Sequence, residues 1–374
     1  MNLQDSQNSR IGLRLKAARE RAGLSQDVLA AALGMNHRQS LSSIEAGERK
    51  LSADELLRAM GVLHVDLDYF TDSFRLVGEG AFSFRAKPEV TPDVLSEFED
   101  QAGRWIATYR ELGKQLGESP RWLGSKLDLR PESSFEDAQD AAETIAGAWG
   151  LGERPAERLG SAIEEELGVL VLFADAPSGV SGAASQVSGL STILVNRNEH
   201  EARRNYDLAH ELFHLLTWDA MPPDHVESVD VPRGKGKRVE RLADSFAAAL
   251  LMPEPVLRRR WEAKGSDTDL HYWLTETADD LKVSGLACKW RALNLNLMTK
   301  AVAESIDDAQ LVTKRSSIGQ PVVPLFSEHF VHRIARALNA GRLSAKRAAS
   351  LLDLSLHDFP GLLQDYGHQP TFEA

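Results

Sequence analysis

The chain has 374 residues, of which 43% are hydrophobic and 26% charged, and its formal net charge is -12. That length suits two or three domains, no apolar run nears the ~18 residues of a bilayer span, and a single cysteine, Cys288, excludes an intrachain disulfide. The opening MNLQDSQNSR lacks the basic start and apolar centre of a secretory signal, so a cytoplasmic protein with no membrane partner is expected. The acidic balance excludes wholesale coating of nucleic acid. Residues 1–70 nevertheless hold nine basic and nine acidic side chains, and residues 10–50 hold eight basic against four acidic. DNA binding is therefore to be sought at the N-terminal end.

Residues 10–70 read as short helices. RIGLRLKAARERAG places Ile11, Leu15 and Ala18 on one face and stops at Gly23. LSQDVLAAALG opens with Ser25 as N-cap and closes at Gly34, and MNHRQSLSSIEAG predicts a helix from near Asn36 that buries Leu41 and Ile44. LSADELLRAMGVL starts with Ser52 and Glu55 at capping-box spacing.

GLSQ at 23–26, LAAALG at 29–34, the S-x-I-E-A-G-E-R-K-L-S run ending at Ser52 and LHVDLDYF at 63–70 together resemble the lambda-repressor-like, or XRE, helix-turn-helix family. The resemblance implies a DNA operator as partner, with His37, Arg38, Gln39, Ser42 and Ser43 presented to the major groove. It further implies Arg14 and Gln26 as backbone contacts. Amide and guanidinium groups at a helix start suit bidentate contacts to base edges. XRE domains pair on two half-sites, so a homodimer is also expected.

Residues 73–135 read as a helical connector dominated by DVLSEFEDQAGRWIATYRELGKQLG, whose Leu95, Phe98, Trp105, Tyr109 and Leu112 form a packing stripe. Two amphipathic helices follow. The period then becomes that of strands: VLVLFAD, a turn at APSGVSG, a polar stretch at AASQVSG, and STILVN. An extended substrate is expected to add along Ile193–Asn196. Residues beyond 254 are mostly helical and acidic, with GRLSAKRAASLLDLSLHDFPGLLQDYG read as a packing or dimerisation element.

DLAHELFHLLT, residues 207–217, contains the chemistry. His210 and His214 lie four apart, which stacks both imidazoles on one helix face within reach of one metal ion. Glu211 is rotated away by one residue, where a carboxylate serves as base without becoming a ligand. Thr217 and Ala220 exclude the metzincin continuation. RVERLADSFAAALLMP then offers Glu240 to complete a three-ligand set and Asp244 to orient a ligand histidine.

RRNYDLAHELFHLL followed by E-x-x-ADSFAAALLMP resembles the ImmA/IrrE metallopeptidase family, over about residues 136–255. By that resemblance His210, His214 and Glu240 bind Zn2+, with Mn2+ as second candidate, and Glu211 is the general base. Tyr206, Arg204 and His225 are candidates for stabilising the oxyanion or holding substrate.

The expected class is α+β: mainly α with a small β-sheet. The expected division is an XRE domain at 1–72, the connector at 73–135, a zincin-like metallopeptidase domain at 136–260 and a helical C-terminal region at 261–374. The expected function is a DNA-binding zinc endopeptidase of the gluzincin type, cleaving a helix-turn-helix repressor or itself in a stress or mobile-element response. The alternative is a transcriptional regulator or antitoxin-like protein using the peptidase fold as a sensor.

Overall fold

The computed structural model describes residues 3–118, 122–124, 126–187, 189–228, 237–311 and 323–369. Five helices open the chain: α1 (Leu3–Arg21), α2 (Gln26–Ala32), α3 (Arg38–Glu45), α4 (Ala53–Leu63) and α5 (Leu67–Thr71). Their starts are written in side chains. Ser25 accepts from the Val28 amide, Ser52 and Glu55 form the reciprocal capping box, and Asp66 accepts from the Tyr69 amide. Leu15, Leu29, Leu33, Leu41, Ile44 and Phe70 make the core of this unit. Gly12 is needed there, because a Cβ would lie 2.1 Å from the Ile44 carbonyl oxygen and push α1 off α3.

Arg14 departs from its expected phosphate contact. Its side chain is fully buried, donating to the Tyr69 and Arg75 carbonyls and pairing with Glu79 at 3.2 Å. A guanidinium in a core must have such partners. The residue thus ties α1 to the segment leaving the unit.

Strand β1 (Gly80–Ala86) follows and corrects the helical connector expected over 73–135. After it come α6 (Pro92–Gln115), α7 (Phe135–Ala148), α8 (Pro155–Leu167), β2 (Leu170–Ala174), β3 (Val180–Val187) and β4 (Leu190–Asn196). α9 (Glu201–Thr217), β5 (Val226–Ser228) and α10 (Arg238–Leu251) complete the central part. The class is α+β, with one five-stranded sheet in the order β2-β4-β3-β1-β5. β1 and β4 pair antiparallel with β3, while β2 with β4 and β5 with β1 are parallel.

Two sequence expectations change here. The turn and polar stretch read at 176–189 contain β3, buried along nearly its whole length. Its small residues explain why the strand is hard to read and how it is used: Gly182, Ala183 and Ala184 lack strand propensity but let a helix approach. A Cβ on Gly182 would meet the Leu194 carbonyl at 2.9 Å. Secondly, Ile193–Asn196 lies between β2 and β3, so no substrate strand can add there.

The sheet separates two cores. On one face Val171, Ala184, Ile193 and Val195 join α7 to α10 and the helices α11 (Glu254–Glu262), α12 (Leu270–Leu281), α13 (Gly285–Asn294) and α14 (Lys300–Ser305), and Cys288 of α13 is fully buried there. On the other, Phe82, Phe84, Leu172 and Leu194 pack with α6 and with α15 (Glu328–Asn339), α16 (Ala345–Leu351) and α17 (Phe359–Asp365). Trp105 meets Phe326 at 5.2 Å and Tyr109 stacks on Phe330 at 6.0 Å. The connector stripe and the C-terminal helices are therefore one layer, and the division expected at 260/261 runs through the first core. Apolar faces that are separate in sequence each need a partner, and they found each other.

Replacing Arg14 by Met should cost about 2–3 kcal/mol of unfolding free energy, because two buried carbonyls and Glu79 lose a charged donor. Chemical denaturation checks the value.

Candidate metal centre and nucleic-acid interface

α9 begins where His200 accepts the Ala202 amide on its ring nitrogen at 3.2 Å. Leu208, Leu212, Phe213, Leu215 and Leu216 bury the helix on its core sides, which leaves Asp207, His210, Glu211 and His214 directed toward the β1–β3 end of the sheet and α10. All four are essentially without solvent exposure. Apolar packing holds this polar row in place, with Phe213 meeting the His214 ring edge-on and the Phe246 ring of α10 at a tilt.

The ligand atoms converge. His210 Nε2 lies 3.1 Å from His214 Nε2 and 3.2 Å from Glu240 Oε2, and His214 Nε2 is 3.6 Å from Glu240 Oε1. A carboxylate that sequence reasoning missed joins them: Glu227 of β5, with Oε2 3.2 Å from His214 Nε2. One ligand atom from each of His210, His214, Glu227 and Glu240 falls within 4.8 Å of the others. Two imidazole nitrogens and two carboxylates meeting at one point are a donor set suited to a divalent cation of the zinc kind.

Electrostatics supports that fit. Asp207, Glu211, Glu227, Glu240 and Asp244 bring five carboxylates against the guanidinium groups of Arg85 and Arg203. The group takes up protons to compensate. Burial drives the Glu211 carboxyl up to about 8, with Glu227 and Asp207 adding to the rise against His210 and Arg85. Burial would lower His210, yet Asp244 and Glu240 outweigh it and raise the ring to about 9. Burial and the His210 charge push His214 down to about 3. A dication among these groups would supply the missing positive charge and displace the protons.

Asp244 has its Oδ1 3.2 Å from His210 Nδ1 and accepts the Tyr206 hydroxyl. The candidates for the oxyanion do not gather at the cluster. The Tyr206 hydroxyl is committed to Asp244, although its ring does lie 5.9 Å from that of His210. Arg204 turns to the Arg197 and Glu199 carbonyls, tying down the loop before α9. His225 faces the Phe82 carbonyl at 3.2 Å and Glu99 at 3.6 Å.

Arg85 of β1 reaches the cluster from the sheet side, near Asp207 and Glu211. It is buried, its Nε 3.6 Å from Asp207 Oδ1 and its guanidinium 5.4 Å over the Tyr206 ring. Its Nε and Nη1 are sealed from solvent without a hydrogen-bond partner among the described residues. Burial opposes its charge, but Asp207, Tyr206 and Glu211 raise its pKa. The signal was present in FSFRA: Phe82, Phe84 and Ala86 pack on the far core, so alternation turns Arg85 toward α9.

In the N-terminal unit, α3 starts after His37 as N-cap, and His37, Arg38, Gln39 and Ser42 are exposed with Ser43 half-exposed. Together they form one solvent-facing surface at a helix start. Gln26 is half-buried and donates to Glu45 Oε2 at 2.8 Å, which orients its side chain beside that surface. Glu45 is itself held by Arg19 at 2.6 and 3.0 Å.

Two family descriptions match this chain. The IrrE N-terminal-like domain, a peptidase family, matches residues 164–291, and a helix-turn-helix domain matches residues 15–70. No curated protein matches it.

Purified protein should carry about one zinc per chain by elemental analysis, and His214→Ala should abolish retention. Asp244→Asn should weaken zinc affinity about 10- to 100-fold by competition with a chelator, since it frees the His210 ring.

Proposed function

We propose that this chain, a fusion of an XRE-type helix-turn-helix domain with an IrrE-like peptidase domain, is a zinc endopeptidase that works at a DNA operator and cleaves a protein substrate there. The observation that carries this reading is Glu211. It is a fully buried carboxyl beside both ligand histidines and outside the ligand set. Burying such a group is costly without a task. A metal sensor needs the ligands but not the base.

His210, His214 and Glu240 are the residues that would hold the cation. When bound there it acts as a Lewis acid on the scissile carbonyl and activates water near neutral pH. Glu211 then accepts a proton from the attacking water and returns it to the leaving amine. Tyr206 and Asp244 keep the His210 ring oriented. Arg85, with unpaired N–H groups in a dry site, meets the negative charge that develops on the carbonyl oxygen. The substrate that fits a helix-turn-helix carrier is a repressor bound nearby, or the chain itself, and its loss would switch a stress or mobile-element response. No described helix is long and apolar enough to cross a membrane.

The decisive experiment incubates the protein with helix-turn-helix repressors encoded beside it. Wild type should cleave one of them, and Glu211→Gln should lose at least about 100-fold in rate with zinc retained. Arg85→Met should lower kcat about 10- to 100-fold with KM little changed, and Arg85→Lys should recover part of it. Cleavage persisting in Glu211→Gln removes the base assignment. No cleavage of any neighbour, with zinc and DNA bound, favours the regulator instead.

DNA affinity should fall steeply with salt, and Arg38→Ala with Gln39→Ala should cost about 1–3 kcal/mol for each base edge that goes unread, measured by titration of operator DNA.

A further inference from the structure

Strand β5 is three residues long and takes the one edge of β1 that β3 leaves free. Its register pairs Phe84 with Val226, Arg85 with Glu227 and Ala86 with Ser228, and the Phe84 amide donates to the His225 carbonyl at 2.8 Å. Because partners on adjacent strands share a face, the rung of Arg85 turns Glu227 toward α9. Val226 and Ser228 on either side are exposed, so little apolar burial anchors the strand. Its inward side chain is the one whose carboxylate reaches His214.

Two functions thus coincide in β5. The edge of β1 beside the cluster is where an extended peptide would add its backbone, since β-strand addition needs a free row of N–H and C=O groups. The donor set, meanwhile, has four protein members where a catalytic three-ligand site leaves one position open.

Resting on the metallopeptidase reading, we infer that Glu227 is a fourth ligand of the metal centre and that β5 holds the substrate's place on β1, so that the folded chain is latent. An incoming strand of a protein substrate displaces Val226–Ser228, and the same movement withdraws Glu227 and opens the centre. Binding and activation are one event. Only a segment able to pair along β1 offsets the cost of the displacement, which restricts hydrolysis to extended protein chains. The linkage also explains why a carboxylate so near the histidines rides on a short edge strand and not on a helix.

The test uses the full chain loaded with cobalt(II) and reads its visible spectrum during titration with azide, a small anion that requires an open coordination position. The wild-type spectrum should barely respond. Glu227→Gln should respond at least about tenfold more strongly and bind zinc at least about tenfold more weakly in chelator competition. Glu227→Asp, which keeps the charge but shortens its reach, should also respond, separating ligation from electrostatics and guarding against a variant that fails to fold. Hydrolysis of β-casein by the zinc forms should be faster for Glu227→Gln than for wild type. A wild-type azide response equal to that of both variants, with zinc affinities within about twofold, would overturn the fourth ligand. An unchanged or lower casein rate would overturn the latency. Wild type that holds no cobalt at all would overturn the metallopeptidase reading itself, and this inference with it.

Discussion

Everything at the centre of this molecule depends on one electrostatic constraint: five carboxylates and two imidazoles crowd one end of the sheet, with two guanidinium groups to balance them. His210, Glu211 and His214 have no access to bulk water, so their charges cannot be screened by solvent. Such a cluster persists only if the surrounding fold is rigid enough to hold it and if something positive enters it. The apolar sides of α9 and α10 meet the first requirement. A divalent cation would meet the second. Proton uptake at His210 and Glu211 answers the same demand for positive charge.

The sheet serves that centre in a way its small size conceals. β3 lies under α9 with glycine and alanine at the contact, so the helix sits close enough for Glu211 to approach the strand, 3.9 Å from where a Cβ of residue 182 would be. β1 then brings Arg85 to the same face, and β5 brings Glu227. Meanwhile the opposite face is packed by α6 and the C-terminal helices. Backing of this kind on both sides keeps the strands from yielding to the charge they carry.

The N-terminal unit is joined to this body through Arg14, whose donors reach the Tyr69 and Arg75 carbonyls and whose partner Glu79 also pairs with Arg110 of α6 at 2.8 Å. A residue that reads as a phosphate contact is thus a buried link between the helix-turn-helix unit and the helix that backs the sheet. Arg347 of α16 adds an ion pair to Asp72 at 3.0 Å. The inward cations are used for structure, while Arg38 of α3 faces solvent.

What the sequence determined by itself was local. Ser25, Ser52 and Asp66 start helices through their own hydroxyls and carboxylates, a spacing of four puts His210 above His214, and Glu240 and Asp244 share a face for the same reason. These relations span a turn or two of helix, so the period of the chain specifies them. Tertiary structure alone decided that Arg14 is buried, that Arg85 lies beside Asp207 and that Glu227 joins the cluster of His210, His214 and Glu240. Arg85 and Glu227 lie 142 positions apart and meet through a strand register, which depends on which edges pair and carries no local period that a sequence could display.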